Sequence, residues 1–176
     1  NALSMLTCME HRGGTGFDVR SGDGAGVLIQ IPDATLRDSM AEKGVTLPQP
    51  GDYAVGMVFF PGDADIREEC RAVLVRNAER LGLPLLGWRL VPKDNSTLGE
   101  ASLEKEPQIE QLFIARPDEL DQQAFERKLY VLRNYTAHRV KETVQGAEED
   151  FYVASLSTRT IVYKGQFTTA QVREYY

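Results

Sequence analysis

The sequence has few of the residues that build metal sites and disulfide frameworks. Its 176 residues include two cysteines and two histidines, with no Cys-x-x-Cys or His-x-x-x-His spacing. Zinc sites combine several such ligands at short spacing, so we predict no metal site. Two cysteines cannot form a secreted disulfide framework, and we expect Cys8 and Cys70 to be buried thiols in a reducing cytoplasm.

Long hydrophobic runs and an excess of basic residues are also lacking. The longest apolar run, Tyr53 to Phe60, has eight residues, whereas a membrane-spanning helix needs about 20. Twenty Lys and Arg oppose 26 Asp and Glu, which leaves a net charge of −6. Binding to nucleic acid depends on clustered positive charge. We therefore exclude a membrane span and expect no nucleic-acid partner.

Apolar runs alternate with amphipathic segments and predict a mixed fold of strands and helices, α+β or layered α/β. We predict helix caps at Asp33, at Asp63 or Asp65, and at Thr168. The polar segment 93–106 is predicted to be a loop. The last two predicted strands are separated by a short turn, so we expect an antiparallel hairpin. Helices are predicted over 2–10, 33–43, about 64–81 and 121–143, with a last one near the C-terminus, and strands over 25–31, 53–60, 84–91, 107–115, 151–155 and 159–164.

Glycine is concentrated between the first predicted helix and the first strand. Six of the 15 glycines lie in the 14 residues from Gly13 to Gly26. Glycine allows close backbone approach and positive φ, so this segment could hold a carboxylate or orient a nucleophile, with Arg12 as the nearby positive charge. A tight helix-to-strand connection is an equally good interpretation. Nucleotide binding is a third and weaker one, because the glycines precede a strand instead of following it and no P-loop lysine is present.

The order of several motifs resembles a known family. Met9-Glu-His-Arg-Gly-Gly followed by Ser21-Gly-Asp-Gly-Ala-Gly is similar to the start of the glutaminase domain of glutamate synthase large subunits, which are class II glutamine amidotransferases. The resemblance extends over nearly all 176 residues, through four further blocks in the same order: Pro50 to Phe60, Leu86 to Gly99, Glu106 to Ile114 and Phe151 to Gly165.

The resemblance implies a fold, a reaction and partners. The fold is α+β, the four-layer αββα sandwich of N-terminal-nucleophile hydrolases, with residues 1–176 as one partial domain incomplete at both ends. The reaction is hydrolysis of L-glutamine to glutamate and ammonia by a cysteine at the mature N-terminus, whose own α-amino group is the base, and the ammonia is transferred to 2-oxoglutarate. FMN and an iron–sulfur cluster are expected in the rest of the parent protein and no cofactor in this chain. The implied partners are the remaining synthase domains and an electron-donating small subunit, while the electron donor and the oligomeric state stay open.

The same resemblance places five residues at the border of the nucleophile's pocket: Arg12, Gly13, Gly22, Asp23 and Gly24. Arg12 would hold the groups around the N-terminal cysteine in place. We interpret Asp23 as an acceptor that fastens the loop rather than as a proton shuttle, since short glycine loops need such anchors. Ser155, Ser157 and Arg159 match a late block of the family and are expected to hold the fold.

The family's catalytic groups are expected outside this chain. The nucleophilic cysteine would precede Asn1, and the oxyanion-binding and substrate-binding segments would follow Tyr176. We therefore predict no catalytic residue and no metal ligand here, and we expect residues 1–176 alone to be inactive. The alternative hypothesis is a degenerate amidotransferase-like module that binds an amino acid or a partner without catalysis.

Overall fold

The computed structural model describes residues 2–14, 18 and 20–176. Helices alternate along the chain with strands, and the strands form two sheets. The predicted α+β class is confirmed. Within these residues, no helix is long and apolar enough to cross a bilayer. The elements, in chain order, are α1 (Ala2–Cys8), a 3₁₀ turn (Glu10–Arg12), β1 (Ala25–Gln30), α2 (Asp33–Ala41), β2 (Tyr53–Phe60), α3 (Ala64–Arg80), β3 (Leu85–Leu90), α4 (Glu100–Glu104), β4 (Gln108–Ala115), α5 (Gln122–Thr143), β5 (Tyr152–Ser157), β6 (Thr160–Gly165) and α6 (Gln171–Tyr175).

One compact unit, which we call the sheet unit, comprises residues 30–90 and 107–161. Its antiparallel sheet has the order β3-β4-β2-β5. All eight residues of β2 are buried, as its apolar sequence on both faces predicts. Apolar side chains from one face of this sheet pack with those of α3 and α5 into a single cluster that includes Phe60, Leu112 and Phe125.

The two long helices of the sheet unit begin where the sequence predicts. The Asp63 carboxylate accepts hydrogen bonds from the N–H groups of Asp65 and Ile66 at the start of α3, and Asp121 accepts one from Ala124 at the start of α5. Such caps satisfy N–H groups that have no partner within the helix. The one polar residue on the apolar face of α3, Asn77, donates a hydrogen bond of 3.1 Å to buried Thr136 on α5.

The second compact unit, the loop unit, comprises the described residues of 2–29, 91–106 and 162–176. Its α-helices have at most seven residues, and aromatic rings near the C-terminus pack against one another. The ring centroid of Tyr175 lies 4.8 Å from that of Phe167 and 4.9 Å from that of Tyr176. The Tyr176 hydroxyl donates to the carbonyl of Lys164 at 2.8 Å.

The predicted hairpin near residue 158 is wrong, because the two strands belong to different sheets. β5 pairs with β2, whereas β6 pairs with β1 in a two-stranded sheet. Between them, the N–H and the hydroxyl of Thr158 donate to the carboxylate of Glu126 on α5. The connection is therefore fastened to a helix, and the polar turn carries the chain from one sheet to the other.

Three predictions about helices also need correction. Asp33 is the first residue of α2 and not its cap, since its carboxylate binds Arg37 and the Tyr53 hydroxyl. The Thr168 side chain does not cap α6, whose N-cap is Ala170. The predicted loop 93–106 includes the short helix α4.

The two cysteines have different environments. Cys70 is buried as predicted, and this burial raises the pKa of its thiol to about 11. Cys8 is exposed, so the prediction of a buried thiol is wrong there. α1 has no buried residue; its helical spacing of apolar residues therefore predicted the helix but not its burial.

Candidate functional site

The two glycine motifs of the loop unit lie side by side. The N–H of Asp23 donates to the carbonyl of Gly14 at 3.0 Å. The Asp23 carboxylate is so close that a Cβ at Gly14 would lie 3.1 Å from one of its oxygens, and a Cβ at Gly13 would lie 3.8 Å from the other. A Cβ at Gly14 would therefore crowd the carboxylate, whereas one at Gly13 would make an ordinary van der Waals contact with it. Gly13, Gly14 and Asp23 therefore form one surface at which the two motifs meet.

Arg12 ends the 3₁₀ turn that leads into this surface. Its N–H donates to the carbonyl of Met9 at 2.9 Å, and the next N–H, of Gly13, donates to Glu10 at 3.0 Å. Arg12 is exposed. His11 is also exposed, and its Nδ1 lies 3.1 Å from the carbonyl oxygen of Cys8, as expected for a polar group satisfied at a helix end.

Close backbone packing explains one of the following glycines, and a positive φ explains another. A Cβ at Gly22 would lie 2.0 Å from the carbonyl oxygen of Phe167 and 2.4 Å from the nitrogen of Thr168. Gly24 has a φ of 133°, which L-residues with side chains rarely adopt. The interpretation as a tight connection therefore explains why these positions are glycine, and it leaves the surface formed by Gly13, Gly14 and Asp23 available for another role.

Gln171 anchors this loop, and sequence reasoning did not find it. Its side chain is buried, and its amide nitrogen donates to the carbonyls of Arg20 at 2.7 Å and Thr97 at 2.8 Å. Its amide oxygen accepts from the N–H of Thr168 at 2.8 Å. The sequence carries no signal for the contacts with Arg20 and Thr97, which lie 151 and 74 positions away; only the contact with Thr168, three positions away, fits a local Thr-x-x-Gln pattern.

Asp18 fastens the same loop from within. Its carboxylate accepts hydrogen bonds from the N–H of Arg20 at 2.9 Å and the hydroxyl of Ser21 at 3.1 Å. The bond from the Arg20 N–H lowers the pKa of the Asp18 carboxyl below its usual value, so the carboxylate form is favoured. The Ser21 hydroxyl in turn accepts from Ser102 on α4 at 3.0 Å.

Glu106 joins three parts of the loop unit. Its carboxylate pairs with Lys93 at 2.9 Å and accepts from Asn95 at 2.9 Å and from the Tyr175 hydroxyl at 2.8 Å. Burial by itself would raise the pKa of Glu106, but these hydrogen bonds outweigh it and hold the pKa below its ordinary value. A carboxylate with three fixed partners is an anchor of the loop unit.

Other residues named from the sequence lie in the sheet unit. Ser155 is buried on β5, and the Ser157 hydroxyl donates to Glu126 at 3.1 Å. Arg159 is exposed, and its N–H donates to the Ser157 hydroxyl at 3.0 Å. In the part of the chain that the structure describes, no three His, Cys, Asp or Glu side chains are grouped to hold a metal ion.

The sequence as a whole matches a known family and several larger proteins. Residues 1–176 match the family model described as class-II glutamine amidotransferases, so the chain belongs to that family. It is 44% identical to glutamate synthase [NADH] of Schizosaccharomyces pombe, over all of this chain and 8% of that protein. It is 42% identical to the glutamate synthase [NADPH] large chain of Bacillus subtilis and 38% identical to ferredoxin-dependent glutamate synthase 2 of Synechocystis, over 99% of this chain and 11% of each relative. The chain therefore spans about a tenth of the length of these relatives.

Proposed function

We propose that this chain forms most of the glutaminase domain of a cytoplasmic glutamate synthase. That domain hydrolyses L-glutamine to glutamate and ammonia, and the ammonia is passed on to 2-oxoglutarate in the same protein. The observation that carries the proposal is the contact of the Asp23 N–H with the Gly14 carbonyl, which unites the two motifs by which the chain resembles this family. Similarity along the whole chain to three glutamate synthases supports it.

In this proposal, the surface of Arg12, Gly13, Gly22, Asp23 and Gly24 borders the pocket of a cysteine nucleophile that precedes Asn1. The thiolate attacks the glutamine carboxamide, a thioester forms as ammonia leaves, and water releases glutamate. The Arg12 and Asp23 side chains and the backbone of the three glycines hold the reacting groups in position, which lowers the entropic cost of the attack. The backbone N–H of Asp23 fastens the loop to Gly14, and in this proposal its nearby carboxylate serves as a further acceptor rather than as a proton shuttle.

The redox cofactors of the proposed enzyme, FMN and an iron–sulfur cluster, would belong to other parts of the protein. Iron–sulfur clusters are held mainly by cysteine thiolates, commonly about four of them. This chain has two cysteines, one exposed in the loop unit and one buried in the sheet unit. The relatives are named for NADH, NADPH and ferredoxin; the electron donor used here would depend on segments outside this chain.

The proposal is tested by replacing Arg12 in the protein that contains this chain. Arg12→Ala removes a positive charge next to the proposed pocket, and we expect glutamine hydrolysis to slow by about tenfold or more because positioning is lost. The measurement is release of glutamate from glutamine, with the free energy of unfolding measured in parallel. Because Arg12 is exposed, we expect that free energy to change by less than about 0.5 kcal/mol.

Arg76→Ala is the matched control, since Arg76 is an exposed arginine on α3 in the sheet unit. It should leave the rate of hydrolysis unchanged. Equal rates for Arg12→Ala and Arg76→Ala would contradict the proposed role of Arg12. A wild-type protein that binds glutamine without hydrolysing it would support the alternative of a non-catalytic binding module.

A further inference from the structure

Both N–H donors and the oxygen of the Gln171 side-chain amide form hydrogen bonds within the loop unit. The nitrogen donates to two carbonyls, those of Arg20 and Thr97, and the oxygen accepts from the N–H of Thr168. A reversed amide would place its oxygen against two carbonyl oxygens and its nitrogen against an N–H group. The surrounding backbone therefore determines the orientation of this amide.

These contacts connect the proposed pocket surface to a distant part of the chain. The Arg20 carbonyl lies two positions before Gly22, whose backbone packs directly on the Phe167–Thr168 peptide. The Thr97 carbonyl belongs to the segment whose Gly99 N–H also donates to the Arg20 carbonyl, at 3.3 Å. One buried amide therefore joins three backbone segments at the point where the Gly22-Asp23-Gly24 loop begins.

We propose that Gln171 is a positioning residue for glutamine hydrolysis, acting through the Gly22-Asp23-Gly24 loop. This role rests on the proposed function, because the loop must border the reacting groups. Gln171 touches neither substrate nor nucleophile in this proposal. It determines where the loop backbone lies, and an error of about 1 Å in such a position can cost up to a hundredfold in rate.

The test compares two substitutions of Gln171 in the protein that contains this chain. Gln171→Glu keeps the size of the side chain but replaces the donor NH₂ by an oxygen facing two carbonyls. Gln171→Met keeps the length of the side chain and removes its hydrogen bonds without adding charge. This variant is used for the test if Gln171→Glu does not fold. The matched control is Gln166→Glu, which makes the same charge change at an exposed position in the same segment.

Two measurements separate positioning from a merely structural role. The first is kcat and KM for glutamine per folded molecule, with the folded fraction determined by circular dichroism. The second is hydrogen exchange of the backbone amides of residues 20–24. We expect kcat to fall about tenfold or more, with faster exchange in this loop. The Gln166→Glu protein should match the wild type in both.

The experiment distinguishes failure of the positioning role of Gln171 from failure of the proposed glutaminase function. A wild-type kcat per folded molecule in both Gln171 variants, or failure of both variants to fold, would assign Gln171 to stability alone and overturn its positioning role. In that case the proposed glutaminase function still stands if the wild type hydrolyses glutamine. If the wild type hydrolyses no glutamine, the proposed function fails and the catalytic role of Gln171 fails with it. Hydrogen exchange then shows separately whether Gln171 holds the loop.

Discussion

The sheet unit and the loop unit are stabilised by different kinds of contact. In the sheet unit, buried apolar side chains of one sheet face pack with those of α3 and α5. In the loop unit, single polar side chains such as Gln171 and Glu106 bind distant segments, and Gly22 allows two backbones to touch. A core distributes its free energy over many small contacts, whereas a few hydrogen bonds and close approaches determine the position of a loop. The proposed pocket surface lies in the loop unit.

The largest effect on stability is expected from the core of the sheet unit. Phe125 on α5 is fully buried in the apolar cluster. Phe125→Ala leaves a cavity and should lower the free energy of unfolding by about 3–5 kcal/mol. Chemical denaturation of the purified protein measures this change.

Tyr130→Ala is the matched control on the same helix, because Tyr130 is 67% exposed. Its free energy of unfolding should stay within about 0.5 kcal/mol of the wild type. A loss below about 1 kcal/mol for Phe125→Ala would show that the apolar cluster is not the main stabilising feature of the sheet unit.

The loop unit should respond strongly to a single added methyl group. In Gly22→Ala the new Cβ would lie 2.0 Å from the Phe167 carbonyl oxygen, so one of the two backbones must move. We expect the free energy of unfolding to fall by about 1–3 kcal/mol, as for overpacked sites. Because the displaced segment is the proposed pocket loop, glutamine hydrolysis per folded molecule should fall as well.

Gly62→Ala is the control for this change. No atom lies within 4 Å of a Cβ at Gly62, and its φ is not positive. Stability and glutamine hydrolysis should therefore stay close to those of the wild type. If Gly22→Ala were tolerated equally well, close backbone approach would not be what determines the position of the loop.

A smaller, pH-dependent effect is expected from Glu106. Its pKa is lowered in the folded protein, so its carboxylate stabilises the fold above its unfolded pKa of about 4.3, and this contribution is lost as the pH falls through the folded pKa. Glu106→Gln should lower the free energy of unfolding by about 1–2 kcal/mol at pH 7. The difference from the wild type should shrink below about pH 4.

Denaturation of both proteins between pH 7 and pH 3 measures this dependence. Glu104→Gln is the control, because Glu104 is exposed at the end of α4. It should change stability little at any pH. A difference between the wild type and Glu106→Gln that stays constant over this range would mean that the charge of Glu106 does not stabilise the loop unit.

Local patterns predicted the elements of the sheet unit well. The all-apolar run of β2, the cap Asp63 of α3 and the start of α5 at Asp121 are confirmed. These features depend on residues within one or two turns of each other, so their signal is local. The family resemblance also singled out the His-Arg-Gly-Gly and Gly-Asp-Gly motifs, which lie in contact.

Features that depend on distant partners were predicted poorly. The strands around residue 158 read as a hairpin because a polar turn separates two β-branched runs, but each has a partner in a different sheet. The Asp33 carboxylate binds Tyr53 instead of capping a helix. The bonds from Gln171 to Arg20 and Thr97 and those of Glu106 carry no local signal, because their partners are distant in the chain.

The sequence by itself determined the positions of the long helices and strands, the family and the residues of the two glycine motifs, because periodicity, caps and motif order are properties of neighbouring residues. Only the tertiary structure decided which strand pairs with which, where Cys8 and Cys70 lie relative to solvent, and which side chains hold the Gly22-Asp23-Gly24 loop. These outcomes depend on hydrogen bonds and close approaches between segments far apart in the chain, which form only when the folded backbone brings them together.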